Sequence, residues 1–143
     1  MLDEFIWDLI RKMSKRNQRV FVCNLANQMI AKEADPDPRA AKAAEVALAY
    51  IDGIATHEEL MEARSGVWDA WIAWRDLPGR RSLYSPDRAR EGAADSTGMA
   101  YFCAWKACQA VLESKNPEFF ATGAVALARD SKVSVLEVIK HAR

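Results

Sequence analysis

The fold is decided by residues 37–60, "DPRAAKAAEVALAYIDGIATHEEL", because this stretch contains the signals that start, stop and restart a helix. Asp37 can cap a helix, and Pro38 fits its first position, where the missing N–H would have no helical partner. The apolar residues that then recur on one face are Ala40, Ala44, Ala47, Leu48 and Ile51. Gly53 accepts the left-handed backbone conformation that commonly ends a helix. The pattern predicts a helix over about 38–52.

A second helix starts a few residues after Gly53, and we call the turn between the two helices the corner. Thr56 and Glu59 match a capping box, in which the side chain of each residue accepts the backbone N–H of the other. The predicted helix runs over about 57–76 and ends before the turn signal "LPG". We interpret the corner as a structural element and not as a binding site, because these start and stop signals already account for its residues.

Helical signals cover most of the remaining chain as well. The predicted ranges are 2–13, 15–32, 85–114, a helix that starts at 116–118 and a last short helix that starts at 134–137. Gly92 and Gly98 weaken the signal in the first half of the helix at 85–114. No segment alternates apolar and polar residues for long enough to predict a strand. The sequence therefore predicts an all-α protein, a single-domain bundle of six or seven helices over residues 1–143.

The composition is that of an ordinary globular protein. Half of the residues are hydrophobic, and 20 basic residues balance 20 acidic ones. A net charge of zero gives no overall field that would hold a polyanion, which disfavours nucleic acid or a membrane surface as the partner. No apolar run approaches the roughly 18 residues of a membrane-spanning helix, and the N-terminal charges are in the opposite order to those of a secretory signal. We therefore expect a cytoplasmic protein.

The sequence contains no recognisable catalytic or metal-binding pattern. The two histidines, His57 and His141, have no second histidine or cysteine at helical spacing, whereas zinc sites need four clustered ligands. No nucleophile elbow, phosphate loop or dinucleotide-binding motif is present. The three cysteines, Cys23, Cys103 and Cys108, are too few for a disulfide scaffold, and we expect free, mostly buried thiols. We predict no catalytic residue, no metal and no cofactor.

Three segments of the first half match a pattern shared by other sequences. They are "MLDEF", "SKRNQRVFVCNLA" and "DPRAAKAAEVALAYIDGIATHEELMEAR". Through them the chain resembles, over about residues 1–65, a group of uncharacterised alanine-rich helical bacterial proteins. The matching positions are Ser14, Arg19, Phe21, Cys23, Glu45, Val46, Ala47, Tyr50, Asp52, Gly53, Ala55, Thr56, Glu58, Glu59 and Leu60.

This resemblance implies a helical fold and no particular activity. A looser likeness links the chain to predicted bacterial immunity proteins, which share an acidic, proline-containing turn and alanine-rich helices. The chain departs from the first group in having one cysteine where that group tends to have several. It also carries tryptophans in the fourth helix, where the group has mostly alanine.

Three of the five tryptophans lie close together in residues 66–77, "GVWDAWIAWRDL". On a helix, Trp68, Trp71 and Trp74 spread over about 120° of the surface, beside other apolar residues. A helix that is apolar around so much of its circumference is usually central in its bundle. We therefore predict that the tryptophans are core residues, with one indole edge exposed. The alternative is a partner-binding face, because tryptophan and arginine dominate the energetics of many interfaces.

Two basic clusters are candidates for a binding surface. The first cluster consists of Arg11, Lys12, Lys15, Arg16 and Arg19. The second flanks or occupies the predicted loop at 77–85 and consists of Arg75, Arg80, Arg81, Arg88 and Arg90, with Tyr84 among them. Such clusters are usually solvated faces that neighbouring acids partly neutralise. We select the second cluster with its tyrosine as the candidate partner-binding site, because protein interfaces and phosphate contacts are enriched in these residue types.

We therefore expect a non-enzymatic protein that acts by binding another protein. The likeness to predicted immunity proteins suggests an inhibitor, either immunity-like or similar to phage anti-defence proteins. One alternative is a nucleic-acid-binding protein that uses a local basic cluster. The other is an enzyme with an unfamiliar site. The sequence predicts neither the identity of the partner nor the oligomeric state.

Overall fold

The computed structural model describes residues 2–76, 96–112, 115–128 and 134–141. Within these residues the chain forms seven α-helices and no strand, which confirms the prediction of an all-α bundle. The helices are α1 (Leu2–Lys12), α2 (Lys15–Ala31), α3 (Pro38–Ile51), α4 (His57–Arg75), α5 (Ser96–Leu112), α6 (Pro117–Ala128) and α7 (Val135–His141). The predicted start of the fifth helix at 85–87 lies outside the described residues.

The first four helices begin where the sequence predicts and end one residue earlier. The starts are accurate because local side-chain bonds fix them. Asp37 accepts the Arg39 N–H at 2.9 Å, and Thr56 and Glu59 exchange the two bonds of the capping box at 3.1 and 3.0 Å. Gly53 has a φ angle of 75°, the left-handed conformation predicted for it. The corner between α3 and α4 is therefore built as the sequence indicates.

Small residues allow the central helices to approach one another closely. Helix α5 packs against α2, α3, α4 and α6, and α2 packs against α3, α5, α6 and α7. The fully buried alanines of α3 and α5 are Ala40, Ala43, Ala44 and Ala47, and Ala100, Ala104, Ala107 and Ala110. Larger side chains of α2, such as Phe21 and Leu25, fill the remaining space. The centre of the bundle is therefore formed by α2 and α5.

This arrangement differs from the expectation that the tryptophan-rich helix is central. Helix α4 packs chiefly against α3 and α5, so one side of it faces away from the bundle. The expectation was wrong because many of the small residues that allow close packing lie on α5 and not on α4. An apolar circumference alone does not make a helix central when another helix offers the smaller side chains.

Polar contacts tie distant parts of the chain to the bundle. The side chain of the buried Gln18 donates to the Ile10 carbonyl at 2.8 Å and joins α2 to α1. The Asp37 N–H donates to the Tyr101 hydroxyl at 2.8 Å, and the Thr97 hydroxyl donates to Glu33 at 2.6 Å. These two bonds hold the turn between α2 and α3 against the start of α5.

The first basic cluster has local partners. Arg16 forms a 2.8 Å ion pair with Asp52, and the Arg19 side chain donates to a carbonyl of α5 at 3.2 Å. Arg11 lies within 4 Å of carboxylates on α1 and α6. The contacts of these three arginines agree with the ordinary interpretation of the cluster, which is a charged surface that neighbouring groups partly neutralise. None of the described helices has the length and hydropathy needed to cross a membrane.

Candidate functional site

The three tryptophans of α4 occupy two different environments. Trp74 is buried, with 4% of its surface exposed, so the prediction of a core residue is confirmed for it. Trp68 and Trp71 are only half-buried, and Trp71 packs against the edge of the buried core. The prediction therefore holds in part for this group, because more than one indole edge reaches the surface.

The contacts between α4 and α5 show that these helices run antiparallel in a fixed register. From one contact to the next, the residue number on α4 decreases while the residue number on α5 increases. The pairs are Trp74 with Gly98, Trp71 with Phe102, Trp68 with Trp105 and Arg64 with Gln109. We call this line of contacts between α4 and α5 the seam. It has an apolar end, an aromatic centre and a polar end.

Four half-buried rings form the centre of this seam, and we call Trp68, Trp71, Phe102 and Trp105 the aromatic quartet. Each ring contacts two others, so that the contacts close into a cycle. The ring centroids are 5.2 Å apart for Trp68–Trp71 and Trp68–Trp105, 5.7 Å for Trp71–Phe102 and 5.5 Å for Phe102–Trp105. These separations lie in the favourable range for aromatic pairs. The rings therefore hold one another in place at the surface.

Gly98 sets the packing at the apolar end of the seam. A Cβ atom built at this glycine would overlap the six-membered ring of Trp74. The indole thus occupies the space that a side chain would otherwise fill, and this allows α5 to pack closely against the C-terminal end of α4. The glycine is a packing residue here, although in the sequence it only weakens a helical signal.

Cationic side chains flank the aromatic quartet. The Arg75 guanidinium lies 5.2 Å from the centre of the Trp71 ring, and the Lys106 ammonium lies 5.0 Å from the centre of the Phe102 ring. Such cation–π contacts are favourable because the face of an aromatic ring carries negative charge. Arg75 also pairs with Asp76 at 3.3 Å. Partial burial lowers the pKa of the Lys106 ammonium.

An open pocket of about 390 Å³ adjoins the polar end of the seam. Its lining residues are Arg64, Ser65, Trp68, Asp69, Trp105 and Gln109. Two indoles of the aromatic quartet therefore form part of its wall, and the remaining groups can donate or accept hydrogen bonds. The lining is therefore mainly polar, with four polar or charged residues and two indoles, and it can offer a partner both hydrogen bonds and ring contacts.

A second pocket, of about 320 Å³, lies between α3 and α4. Two of the charged groups that line it, Arg39 and Glu59, serve the local structure. Arg39 bonds to Asp37 and lowers the pKa of that carboxyl, and Glu59 accepts the Thr56 N–H of the capping box. We therefore place the candidate site on the α4–α5 side.

Of the partner-binding residues predicted from the sequence, the structure places Arg75 beside the aromatic quartet. Arg80, Arg81, Tyr84, Arg88 and Arg90 lie outside the described residues, and their role stays a prediction. The sequence interpretation missed Phe102 and Trp105, although the two have the same spacing as Trp68 and Trp71. Two aromatic pairs of matching spacing on two predicted helices were the signal that could have revealed the site.

The thiols are free and buried, as predicted. Burial raises the pKa of Cys103 and Cys108 to about 12, and burial is also the main reason why the pKa of Cys23 lies well above its ordinary value. A buried thiol with a raised pKa is a poor nucleophile, since the thiolate is the reactive form. Within the described ranges, no group of three or more histidine, cysteine or acidic side chains is arranged to hold a metal ion.

Fold and site together describe a helical bundle with an aromatic cluster, flanked by cations, on one face. Comparison of the chain with protein-family models, curated proteins and solved structures found no match. The resemblance to alanine-rich helical bacterial proteins and to predicted immunity proteins therefore stays a prediction.

Proposed function

We propose that the protein acts by binding another protein through the aromatic quartet, without a catalytic step. The observation that carries the proposal is the cycle of four half-buried rings at the surface. Rings that face solvent lose part of the free energy that full burial would provide. Contiguous apolar patches of this kind mark interaction surfaces in many proteins.

The residue types around the rings support a protein partner. Tryptophan, phenylalanine and arginine are enriched at protein interfaces, and tryptophan and arginine provide many of their strongest contacts. Mutual contacts hold the rings in one arrangement before binding, so a partner would lose little conformational entropy by fixing them. Arg75 and Lys106 provide charges at the rim, where polar residues normally surround an apolar centre.

We extend the proposal to an inhibitor, of the immunity or phage anti-defence kind. This extension is supported by the likeness to predicted immunity proteins. It also agrees with a rigid bundle that presents a preformed surface, because an inhibitor of this type works by covering a functional surface of its target.

Nucleic acid is the second candidate partner, because bases stack on aromatic rings beside cationic groups. The charges near the quartet favour protein instead. Asp69 lines the pocket, and Asp76 pairs with Arg75, so acids accompany the cations on this face. A nucleic acid carries a negative charge at every nucleotide and would bring some of these charges close to the two acids, whereas a protein partner can place a single acid beside a cation.

The experiment is affinity capture from a lysate of the source cells with the wild type and two variants. Trp68→Ala removes one ring of the aromatic quartet. Phe119→Ala removes a ring that is 64% exposed on α6, and it serves as the control for general surface hydrophobicity. We expect a protein that the wild type and Phe119→Ala retain and Trp68→Ala does not, with all three melting cooperatively. Equal capture by both variants would contradict the proposal.

A further inference from the structure

We propose that the partner segment is acidic as well as apolar, and that Arg64 binds one of its carboxylates in the pocket beside Trp68 and Trp105. The inference rests on the proposed function and names the chemistry of the partner at the same site.

Arg64 is a positive charge held by a neutral group. Its Nη1 donates to the side-chain oxygen of Gln109 at 2.7 Å. In the part of the chain that the structure describes, no acidic group is recorded within ion-pair distance of this guanidinium. The planar guanidinium carries further N–H groups, and it matches a carboxylate with two parallel bonds. Gln109 therefore orients the arginine without neutralising it.

The surroundings would strengthen an ion pair at this position. The indoles of Trp68 and Trp105 line the same pocket. When a partner covers the pocket and excludes water, the lower local dielectric makes the attraction between opposite charges stronger. A carboxylate on Arg64 would lie next to the rings, so the partner needs an apolar side chain adjacent to its acid.

Two acids on this face interact with cations other than Arg64. Asp76 pairs with Arg75. The pKa of Arg39 on α3 is raised chiefly by its bond to Asp37, and the charge of Asp69 adds to this effect. Asp69 lines the pocket but forms no ion pair with Arg64, and its charge also reaches Arg39 on α3. Arg64 is the cation among the residues that line the pocket, so an incoming acid can pair with it there.

The test uses a short synthetic peptide that alternates leucine with glutamate, and a second peptide with glutamine in place of glutamate. Binding is measured from the protein's tryptophan fluorescence at low and high salt. We expect the acidic peptide to bind and salt to weaken it. Arg64→Gln should weaken binding about tenfold or more, and Arg64→Lys should restore part of the loss. The control Arg16→Gln removes the same charge at a distant ion pair and should leave binding unchanged.

Gln109→Glu provides a second variant that does not remove the arginine. The new carboxylate would pair with Arg64 inside the protein, so we expect a melting temperature that is unchanged or higher together with weaker binding of the acidic peptide. A merely structural role for the Arg64–Gln109 bond predicts no loss of binding in this variant.

Several outcomes would overturn the inference. They are failure of the acidic peptide to bind the wild type, equal affinity for the glutamine peptide, equal losses in Arg64→Gln and Arg16→Gln, and tighter binding of a thymine oligonucleotide than of the peptide. The proposed function fails separately. If Trp68→Ala loses the captured protein while Arg64→Gln retains it, the acidic chemistry is wrong and the binding surface stands.

Discussion

Helix α4 packs against α3 on one side and against α5 on the other, and the two contacts are built from different residue types. Toward α3, the contact consists largely of small residues, and Gly66 lies against the Arg39 side chain. Toward α5, the contact consists of large rings whose edges reach the surface. The comparison shows that the contact with α3 buries its apolar side chains, whereas the contact with α5 leaves apolar surface partly exposed.

The largest expected effect on stability concerns Trp74, at the apolar end of the seam between α4 and α5. Trp74→Ala should lower the free energy of unfolding by about 3–5 kcal/mol, because it removes a buried indole and leaves a cavity. Trp68→Ala, on the same helix but at a position that is only partly buried, should cost clearly less. Chemical denaturation of both variants measures the difference. Equal losses would show that the rings at the surface are core residues and would weaken the proposed binding site.

The two glycines offer a direct comparison of the two contacts. Gly98→Ala should destabilise the fold by about 1–3 kcal/mol, because the added methyl group overlaps the Trp74 ring. Gly66→Ala should be neutral or stabilising by up to about 1 kcal/mol, since its methyl group would meet Arg39 at an ordinary 3.8 Å and alanine favours helix. Thermal unfolding of the pair is the measurement. A harmless Gly98→Ala would mean that the Trp74 ring can move aside.

A substitution at the corner between α3 and α4 should change the stability of the protein and leave partner binding unchanged. Thr56→Ala should cost about 1 kcal/mol, because the Glu59 N–H loses its capping partner. Thr122→Ala is the matched control, since that hydroxyl only donates to the Phe119 carbonyl within its own exposed helix turn. Capture of the partner should be the same for both variants. A loss of binding in Thr56→Ala without a change in melting temperature would place a site at the corner.

The smallest effect on stability is expected beyond the end of α4. Replacing Arg80 and Arg81 together with alanine should leave the melting temperature nearly unchanged, because the sequence predicts a loop at these positions and solvated charges contribute little to stability. If the second basic cluster takes part in the interface with Arg75, the double variant should bind the captured partner more weakly and with less salt dependence. Unchanged affinity at every salt concentration would remove these two arginines from the site.

The helix boundaries could be predicted because the residues that fix them are neighbours in the chain. Ser14, Asp37 and Thr56 each cap a helix within the next few residues, so the sequence contains both partners of each bond. The aromatic quartet could be predicted only in part. Trp68 and Trp71 are visible as a pair, but the residues that complete the cycle come from another helix, more than 30 positions later.

Gly98 illustrates why the contacts between distant helices could not be predicted from the sequence. In the sequence, a glycine in a helical segment indicates reduced helix stability. In the bundle, the same glycine makes room for Trp74. Arg64 is similar, since only the register of α4 against α5 places Gln109 beside it. Contacts between distant segments depend on helix direction and register, and the spacing within one segment does not define either.

The cycle of rings also gives the protein an optical property of its own. Indoles whose centroids are 5.2 Å apart, as in Trp68–Trp71 and Trp68–Trp105, share their electronic excitations, and the sign of that coupling depends on the angle between the rings. Circular dichroism in the aromatic absorption region should therefore contain an exciton couplet that free tryptophan lacks. Any molecule that tilts one indole would change the couplet, so the unlabelled protein can report the occupancy of this face.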